Sequence, residues 1–145
     1  GLVAVNACGN VVDHESHEML AGIYDKKTQQ VISTKDVLLK QMDQIRKLPD
    51  GNTTIGCIVT NVKLNKAQCT KLAGICHDGY ARSIEPVHTM SDGDTIFVLS
   101  TNEVEGMVDA VGVLASEVTS MCIKRAILKA ESAYGLKAYS DLKNR

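Results

Sequence analysis

The sequence has 145 residues, of which 44% are hydrophobic and 23% charged, and its formal net charge is −1 at pH 7. This composition is typical of one globular domain with its own core. The near-zero charge gives no electrostatic reason to expect binding to nucleic acid or to an anionic membrane surface. The sequence also lacks an apolar run of the roughly 18 residues that a bilayer span requires. We therefore expect no nucleic-acid partner and no membrane partner.

The first residues predict a strand and then a connector. The apolar run Leu2–Asn6 predicts a buried strand, and a second strand is indicated at "LAGIYD". Residues 25–52 are more polar and are interpreted as a connector, with a short amphipathic helix over Lys35–Lys47 and a breaker cluster, "PDG", at 49–51. Proteolytic nicking concentrates in such connectors.

The second half predicts two strand–helix units. Thr53–Thr60 is rich in β-branched residues and predicts a strand. Asn65 is predicted to be the N-cap of a helix that ends near Gly79 or continues to Ile84. Thr95–Ser100 predicts another buried strand. The uniformly apolar strands indicate an α/β (α+β) fold with helices covering at least one face of the sheet.

A long second helix is expected after the last strand. Asn102 and Glu105 have the spacing of a capping box, and an apolar stripe then runs from Val104 through Met107 to Cys122. This helix is predicted to reach Ala130. The remaining tail is polar and is expected at the surface.

The cysteine and histidine patterns predict no metal site. The five cysteines are an odd number and lie mostly among apolar neighbours, so we expect reduced core residues of a cytoplasmic protein. Cys69 and Cys76 do not form a CxxC pair, and no histidine completes a zinc pattern. His14 and His17 are three residues apart in a polar loop, which is weak support for a metal. No metal and no other cofactor are therefore predicted.

Two adjacent threonines stand where the connector meets the strand, in "PDGNTTIGCIVTN" at 49–61. A threonine hydroxyl is a poor nucleophile unless a base lies next to it. Cleavage of the Asn52–Thr53 bond would give Thr53 a free α-amino group, with a reference pKa of about 7.7–8.0. One residue would then supply both the nucleophile and the general base. The alternative is that these are two ordinary strand threonines after a turn.

Other polar residues are candidates for the same chemistry. Asp92 and Asp94 flank a glycine in "SDGDT", which is typical of a tight turn, but such carboxylates can also orient an amino group and stabilise its protonated form. His77 is expected to cap a helix or face the core, and His88 could orient the turn that follows it. Asn6 is polar within an apolar strand, so it is either bonded to the backbone or directed into a site.

Several of these segments together resemble one family. "NTTIGCIVTN", "HDGYARSI", "PVHT" and "DGDTIFVLST" occur in an order and at spacings similar to those of the L-aminopeptidase/D-esterase (DmpA) family, which includes β-aminopeptidases and nylon-oligomer hydrolases. The upstream "VAVNACGN" resembles the family strand that precedes the processing connector. The resemblance covers the chain from about residue 2 to about residue 130.

The resemblance implies an N-terminal-nucleophile hydrolase that is made as an inactive precursor, with the C-terminal part of a four-layer αββα sandwich in this chain. The scissile bond would be Asn52–Thr53, and Thr53 would carry the acyl-enzyme. Asn6 matches the residue that donates a hydrogen bond to the oxyanion. Asp92 and Asp94 match residues that contact the amino group of the nucleophile.

The resemblance also implies a division of the chain and a missing part. Residues 1–24 would be upstream, α-subunit-like strands, 25–52 the processing connector and 53–145 the β-subunit-like catalytic part. Thr54 is a second hydroxyl that could be the true first residue. Family members carry a further glycine-rich segment before this one, and the chain starts abruptly at Gly1. We therefore expect a missing N-terminal segment of the same protein, or a partner chain, to complete the substrate pocket.

The expected activity is hydrolysis of small peptides or amides with a free amino terminus, in a homo-oligomer. One alternative is an acyltransferase of the ornithine acetyltransferase type, which passes the acyl group to an amine. Another is a non-catalytic oligomerising domain that has the same fold and never cleaves itself.

Overall fold

The computed structural model describes residues 1–42 and 51–143, which form eight strands and four helices. The strands are β1 (Leu2–Ala4), β2 (Asn10–Val12), β3 (Met19–Ala21), β4 (Ile23–Asp25), β5 (Gln30–Ile32), β6 (Ile55–Val62), β7 (Ile84–Glu85) and β8 (Thr95–Val104). The helices are α1 (Thr34–Lys40), α2 (Lys66–Ser83), α3 (Val108–Lys129) and α4 (Tyr139–Lys143). This mixed content confirms the predicted α/β (α+β) class.

The central sheet has the strand order β1-β6-β8. β1 runs antiparallel to β6, whereas β6 and β8 are parallel, and α2 lies in the crossover that a parallel pair requires. The core lies between this sheet and the two long helices. It contains Ile58 of β6, Ile96 of β8, Leu72 of α2 and Ile123 of α3, all buried. Two smaller sheets, β3-β2-β7 and β4-β5, complete the described part.

The other face of the central sheet is apolar and exposed. Side chains alternate along a strand, so the residues next to the buried ones point away from the helices. Leu2, Val59 and Phe97 are 75%, 58% and 57% exposed, and Ile55 and Leu99 are exposed beside them. Sheets with parallel strands are usually covered on both faces. We call this surface the open sheet face. A bare apolar face is unusual for a sheet that contains parallel strands.

The local helix signals were partly right. Asn65 is the N-cap of α2, as predicted: its side chain accepts from the backbone of Gln68, and the Gln68 side chain accepts in return from the Asn65 backbone N–H, at 2.9 Å each. The helix ends at Ser83, with Ile84 as its C-cap. The predicted end of the last long helix is also confirmed, because α3 ends at Lys129.

The predicted capping box at Asn102 and Glu105 is wrong. β8 continues to Val104, where it still pairs with β6, so the backbone here belongs to the sheet. Asn102 has a positive φ of 59°, and its side chain accepts from the Leu64 N–H at 2.8 Å. With Asn102 as its N-cap the helix would begin at residue 103, but it begins five residues later, at Val108, with Met107 as its N-cap. Val104 and Met107 thus precede the helix and are exposed.

The region interpreted as a connector contains regular structure. β5 and α1 lie within it, and α1 ends at Lys40. The part of the predicted Lys35–Lys47 helix beyond residue 42, and the breaker residues Pro49 and Asp50, lie outside the described residues. None of the helices in the described ranges is both long and apolar enough to cross a membrane.

The cysteines are free, and the tail contains a short helix. All five cysteines lack a disulfide, but Cys76 alone among them is fully buried, so the expectation that they are core residues is right for that one and too strong for the other four. The polar tail forms α4, and Ala138 just before it is buried.

The two long helices approach each other closely at Gly79. A Cβ there would lie 2.6 Å from the Ser116 carbonyl oxygen, whereas a Cβ at Gly74 of the same helix would meet nothing within 4 Å. Gly79→Ala is expected to lower the free energy of unfolding by about 1–3 kcal/mol through overpacking. Gly74→Ala is expected to raise it by about 0.5–1 kcal/mol, because alanine loses less backbone entropy in a helix. Urea unfolding of both variants checks the prediction, and shifts of the same sign would contradict it.

Candidate active site

The predicted site residues meet where β6 and β8 begin. Just before these strands, Asn52 and Asp92 form an isolated parallel bridge. The Gly93 N–H donates to the Asn52 carbonyl oxygen at 2.9 Å, and the Thr95 N–H donates to the Thr54 carbonyl oxygen at 3.0 Å. The parallel pairing of the two strands therefore brings the threonine segment against the Asp-Gly-Asp turn.

Thr53 lies half-buried at the centre of these contacts in the uncleaved chain. Its hydroxyl donates to the Asn52 carbonyl oxygen at 2.6 Å, and its N–H donates to the Asn6 carbonyl oxygen at 2.8 Å. A Cβ at Gly93 would lie 2.8 Å from the Thr53 hydroxyl, so glycine leaves the room that the hydroxyl occupies. The hydroxyl is therefore held beside the carbonyl group of the preceding residue.

The Asn52 carbonyl oxygen accepts from two donors, the Gly93 N–H and the Thr53 hydroxyl. A backbone N–H in this position polarises the carbonyl group and can stabilise the negative charge that develops on its oxygen during attack. Because the N–H is fixed by the turn, it needs no rearrangement to do so. The arrangement is suited to attack at this carbonyl.

Thr54, the second hydroxyl residue, is in a different environment. It is fully buried, and its hydroxyl has no hydrogen-bond partner within the described part of the chain. Its N–H donates to Asp94 Oδ1 at 2.9 Å. Thr54 is thus anchored by its backbone, while its side chain belongs to the core.

Asn6 binds the end of the connector through both its backbone and its side chain. Its carbonyl oxygen accepts from the Thr53 N–H, and its Nδ2 donates to the Gly51 carbonyl oxygen at 3.0 Å. From the sequence, Asn6 was expected either to bind the backbone or to point into a site. In the uncleaved chain it does both, because the backbone that it binds lies within the site. The side-chain amide itself donates to Gly51 and makes no hydrogen bond to Thr53 among those of the described residues.

Asp92 braces the turn before β8. Its Oδ2 accepts from the backbone N–H and the hydroxyl of Thr89, at 2.8 and 2.7 Å, and its Oδ1 accepts from the Cys8 N–H at 3.4 Å. Burial and the negative charge of Asp92 raise the pKa of the Cys8 thiol. A thiol that resists ionisation is a poor nucleophile, so the surroundings of Cys8 do not activate it.

Asp94 connects the threonine segment to a histidine. Its Oδ1 accepts from the Thr54 N–H, and its Oδ2 lies 2.8 Å from His88 Nδ1. Its side chain is only 4% exposed. In the uncleaved chain the Asp94 carboxylate therefore holds the backbone N–H of Thr54, one residue after Thr53. The Thr53 N–H instead donates a hydrogen bond to the Asn6 carbonyl oxygen.

Two residues of α2, His77 and Tyr80, contact the site residues, and the sequence did not predict these contacts. His77 Nδ1 lies 3.2 Å from His88 Nε2. The Tyr80 hydroxyl lies 3.3 Å from the Thr54 carbonyl oxygen, to which it donates, and the His77 ring packs edge-on against the Tyr80 ring. Burial and the negative charge of Asp94 raise the pKa of Tyr80 well above its usual range, so the phenol keeps its proton. His77 and Tyr80 are three residues apart on α2 and so lie on one face of the helix. That spacing is the sequence signal that could have indicated that the two residues act together.

Within residues 1–42 and 51–143, no group of three or more histidine, cysteine, aspartate or glutamate side chains is arranged to hold a metal ion. The polar groups of the site are a hydroxyl, backbone amides, one side-chain amide, two carboxylates and imidazoles. This set is suited to acyl transfer. The arrangement therefore indicates a class of site at which acyl bonds can be attacked.

Comparison with known families agrees with this class. The family model of peptidase family S58 matches residues 1–140. The chain therefore belongs to peptidase family S58, and the predicted resemblance to the L-aminopeptidase/D-esterase family is confirmed.

Curated relatives carry names of the same kind. Over 97% of its length the chain is similar to an uncharacterised aminopeptidase of Mycobacterium leprae, at 32% identity, covering 43% of that protein. It is similar at 31% identity to an uncharacterised aminopeptidase of Mycobacterium tuberculosis, covering 46% of it. Over 72% of its length it is 32% identical to a 6-aminohexanoate-oligomer endohydrolase of Paenarthrobacter ureafaciens, covering 30% of it. The chain thus spans less than half the length of these relatives.

Proposed function

We propose that the protein is a self-processing N-terminal-nucleophile hydrolase that cleaves its own Asn52–Thr53 bond and then hydrolyses other amides through an acyl-enzyme on Thr53. One observation carries this proposal: the Thr53 hydroxyl and the Gly93 N–H both bind the Asn52 carbonyl oxygen, at 2.6 and 2.9 Å. The nucleophile and an oxyanion donor therefore already lie at the bond that would be cut. The Thr54 hydroxyl, in contrast, is fully buried and contacts no carbonyl oxygen by a hydrogen bond within the described residues.

Self-cleavage would proceed by an acyl shift. The Thr53 hydroxyl oxygen attacks the Asn52 carbonyl carbon, and the Gly93 N–H stabilises the resulting oxyanion. The bond from that carbon to the Thr53 nitrogen breaks, the nitrogen takes up the proton that the hydroxyl has lost, and an ester joins Asn52 to the Thr53 oxygen. Water then hydrolyses the ester, which leaves a carboxylate on Asn52 and a free amine and hydroxyl on Thr53.

Turnover would reuse the same residue. The freed Thr53 amine accepts the hydroxyl proton as the hydroxyl attacks a substrate carbonyl, and then passes it to the leaving amine. Water then hydrolyses the ester on Thr53, which releases the carboxylic acid and restores the hydroxyl. Asn6 would donate to the substrate oxyanion once Gly51 has moved away. Asp92 and Asp94 would orient the amine and favour its protonated form. The names of the relatives support a small peptide or amide with a free amino terminus as the substrate.

The open sheet face supports a proposal about architecture. We infer that a second sheet covers it, contributed by a segment of the same protein outside these 145 residues or by a partner chain, which would complete the αββα sandwich. A bare apolar face is unusual for a sheet that contains parallel strands. A homo-oligomer in the cytoplasm is part of this proposal, and the five free cysteines agree with a reducing compartment.

Mass spectrometry of the complete protein after purification under native conditions tests the proposed function. We expect a fragment whose N-terminal residue is Thr53, together with its complement ending at Asn52. A chain that stays intact at this bond would contradict the proposal and favour a non-catalytic domain with the same fold.

A further inference from the structure

We propose that His88 and His77 are a positioning pair that fixes Asp94, and through Asp94 the backbone at Thr54, so that the Thr53 hydroxyl stays on the Asn52 carbonyl group. The inference rests on the proposed function and extends it to two histidines outside the residues that touch the scissile bond. Neither histidine is a catalytic residue in this account, because both act through Asp94.

The hydrogen-bond path is continuous. The Thr54 N–H binds one oxygen of the Asp94 carboxylate and His88 Nδ1 binds the other, at 2.9 and 2.8 Å. A carboxylate accepts and does not donate, so Nδ1 carries the proton of this bond. A carboxylate whose two oxygens are held from different sides cannot rotate freely. Because Thr54 follows Thr53 directly, this hold also restricts the Thr53 backbone.

The backbone of His88 shows that its position is specified. Its φ is +55°, in the left-handed region that non-glycine residues adopt at a cost in folding free energy. Such a conformation persists only where surrounding contacts offset the cost, and it occurs preferentially at functional sites. The contacts of the His88 ring with Asp94 and His77 meet that requirement.

His77 determines how many protons the pair can hold. The two ring nitrogens that face each other are 3.2 Å apart, so one proton fits between them. Burial, and then the proximity of His88, lower the pKa of His77. With one ring neutral, the contact survives and His88 Nδ1 still donates to Asp94. With both rings cationic, two N–H groups would oppose each other, so the His77–His88 contact is lost and His88 is held only by Asp94.

Other charged groups around the pair do not remove this limit. Asp78 on α2 and Asp94 on the turn favour a charge on His77, but the effect of burial outweighs them. The Tyr80 ring packs against both histidines and stays neutral. Acidification therefore disrupts the path once the second imidazole gains its proton, and the low pKa of His77 delays that step to lower pH.

Two substitutions separate the hydrogen bond from the backbone conformation. His88→Asn keeps an N–H near the position of Nδ1 and tolerates a positive φ, but does not titrate. His88→Gly tolerates the positive φ and loses the donor. His14→Asn is the matched control, because the His14 ring lies beside Glu117 on α3.

The rate of self-cleavage of the complete, uncleaved protein is the first readout, measured from about pH 5 to 8. Self-cleavage is preferable to turnover here because the uncleaved chain has no free Thr53 amine to titrate. We expect His88→Gly to slow cleavage by about tenfold or more, the effect of misplacing a reacting group. His88→Asn should cleave nearly as fast as the parent at neutral pH and lose the decline at acid pH. Equal rates and equal pH profiles in the parent, His88→Gly and His14→Asn would overturn the inference.

A second readout separates this inference from the proposed function. In the Thr53→Ala protein, the amide NMR signal of Thr54 is expected to shift as the pH is lowered, and to stop doing so when His88→Asn is added. This result does not require cleavage. A parent protein that never cleaves would contradict the proposed function, whereas a Thr54 signal that ignores His88 would contradict the positioning pair.

Discussion

Replacing Thr53 with alanine is expected to leave the bond after Asn52 intact and to reduce turnover by on the order of 10⁴–10⁶-fold, the range seen when the nucleophile of a hydrolase is removed. The substitution deletes the hydroxyl that lies 2.6 Å from the Asn52 carbonyl oxygen. Without cleavage there is also no free amine to act as the base, so both reactions fail together. Intact-mass measurement and hydrolysis of an amino-acid anilide by the complete protein check the two parts of the prediction.

Two matched variants make this test specific to one hydroxyl. Thr53→Ser keeps the nucleophile and is expected to cleave. Thr54→Val removes a buried hydroxyl that lacks a partner within the described chain, so it is expected to cleave like the parent and to be at least as stable. Cleavage that survives Thr53→Ala but not Thr54→Val would instead identify Thr54 as the first residue of the mature chain.

Local sequence signals correctly predicted the structural features that depend only on residues close together in the sequence. Asn65 was predicted as an N-cap and is one, because its partner Gln68 lies on the next turn. The similar pattern at Asn102 and Glu105 failed, because β8 continues through it in register with β6. A local capping preference contributes less free energy than the pairing of a whole strand. Strand pairing in turn depends on residues that are far away in the sequence.

The same distinction applies to the site. Residue type and family resemblance together indicated the candidate residues, but the contacts between the threonine segment and the Asp-Gly-Asp turn come from the register of β6 against β8. Thr54 and Asp94 are 40 residues apart in the sequence and meet only through that register. His77 and His88 are separated by the end of α2 and a turn, and no periodicity links them. Nothing local in the sequence encodes either contact.

Asn6→Ala is expected to impair turnover more than self-cleavage. In the uncleaved chain the Asn6 side chain binds the Gly51 carbonyl oxygen, while the Gly93 N–H holds the oxygen of the bond to be cut. Self-cleavage therefore already has an oxyanion donor that the substitution leaves in place. In the proposed mechanism turnover begins after cleavage, when the Asn6 amide is free to bind the substrate oxyanion, and removal of one such donor typically reduces kcat by about 100–1,000-fold.

Comparing the two rates in one protein tests this division of roles. The half-time of fragment formation is measured first, and kcat is then measured on the fully cleaved protein, so that slow maturation does not lower the apparent turnover. Asn6→Asp has nearly the same shape as the parent residue but lacks the donor when ionised, so its kcat is expected to fall as in Asn6→Ala. Asn61→Ala, at an exposed position on β6, is the control and should change neither rate. Equal losses in both reactions would mean that Asn6 acts mainly by holding Gly51 in place, and an unchanged kcat would exclude Asn6 as an oxyanion donor.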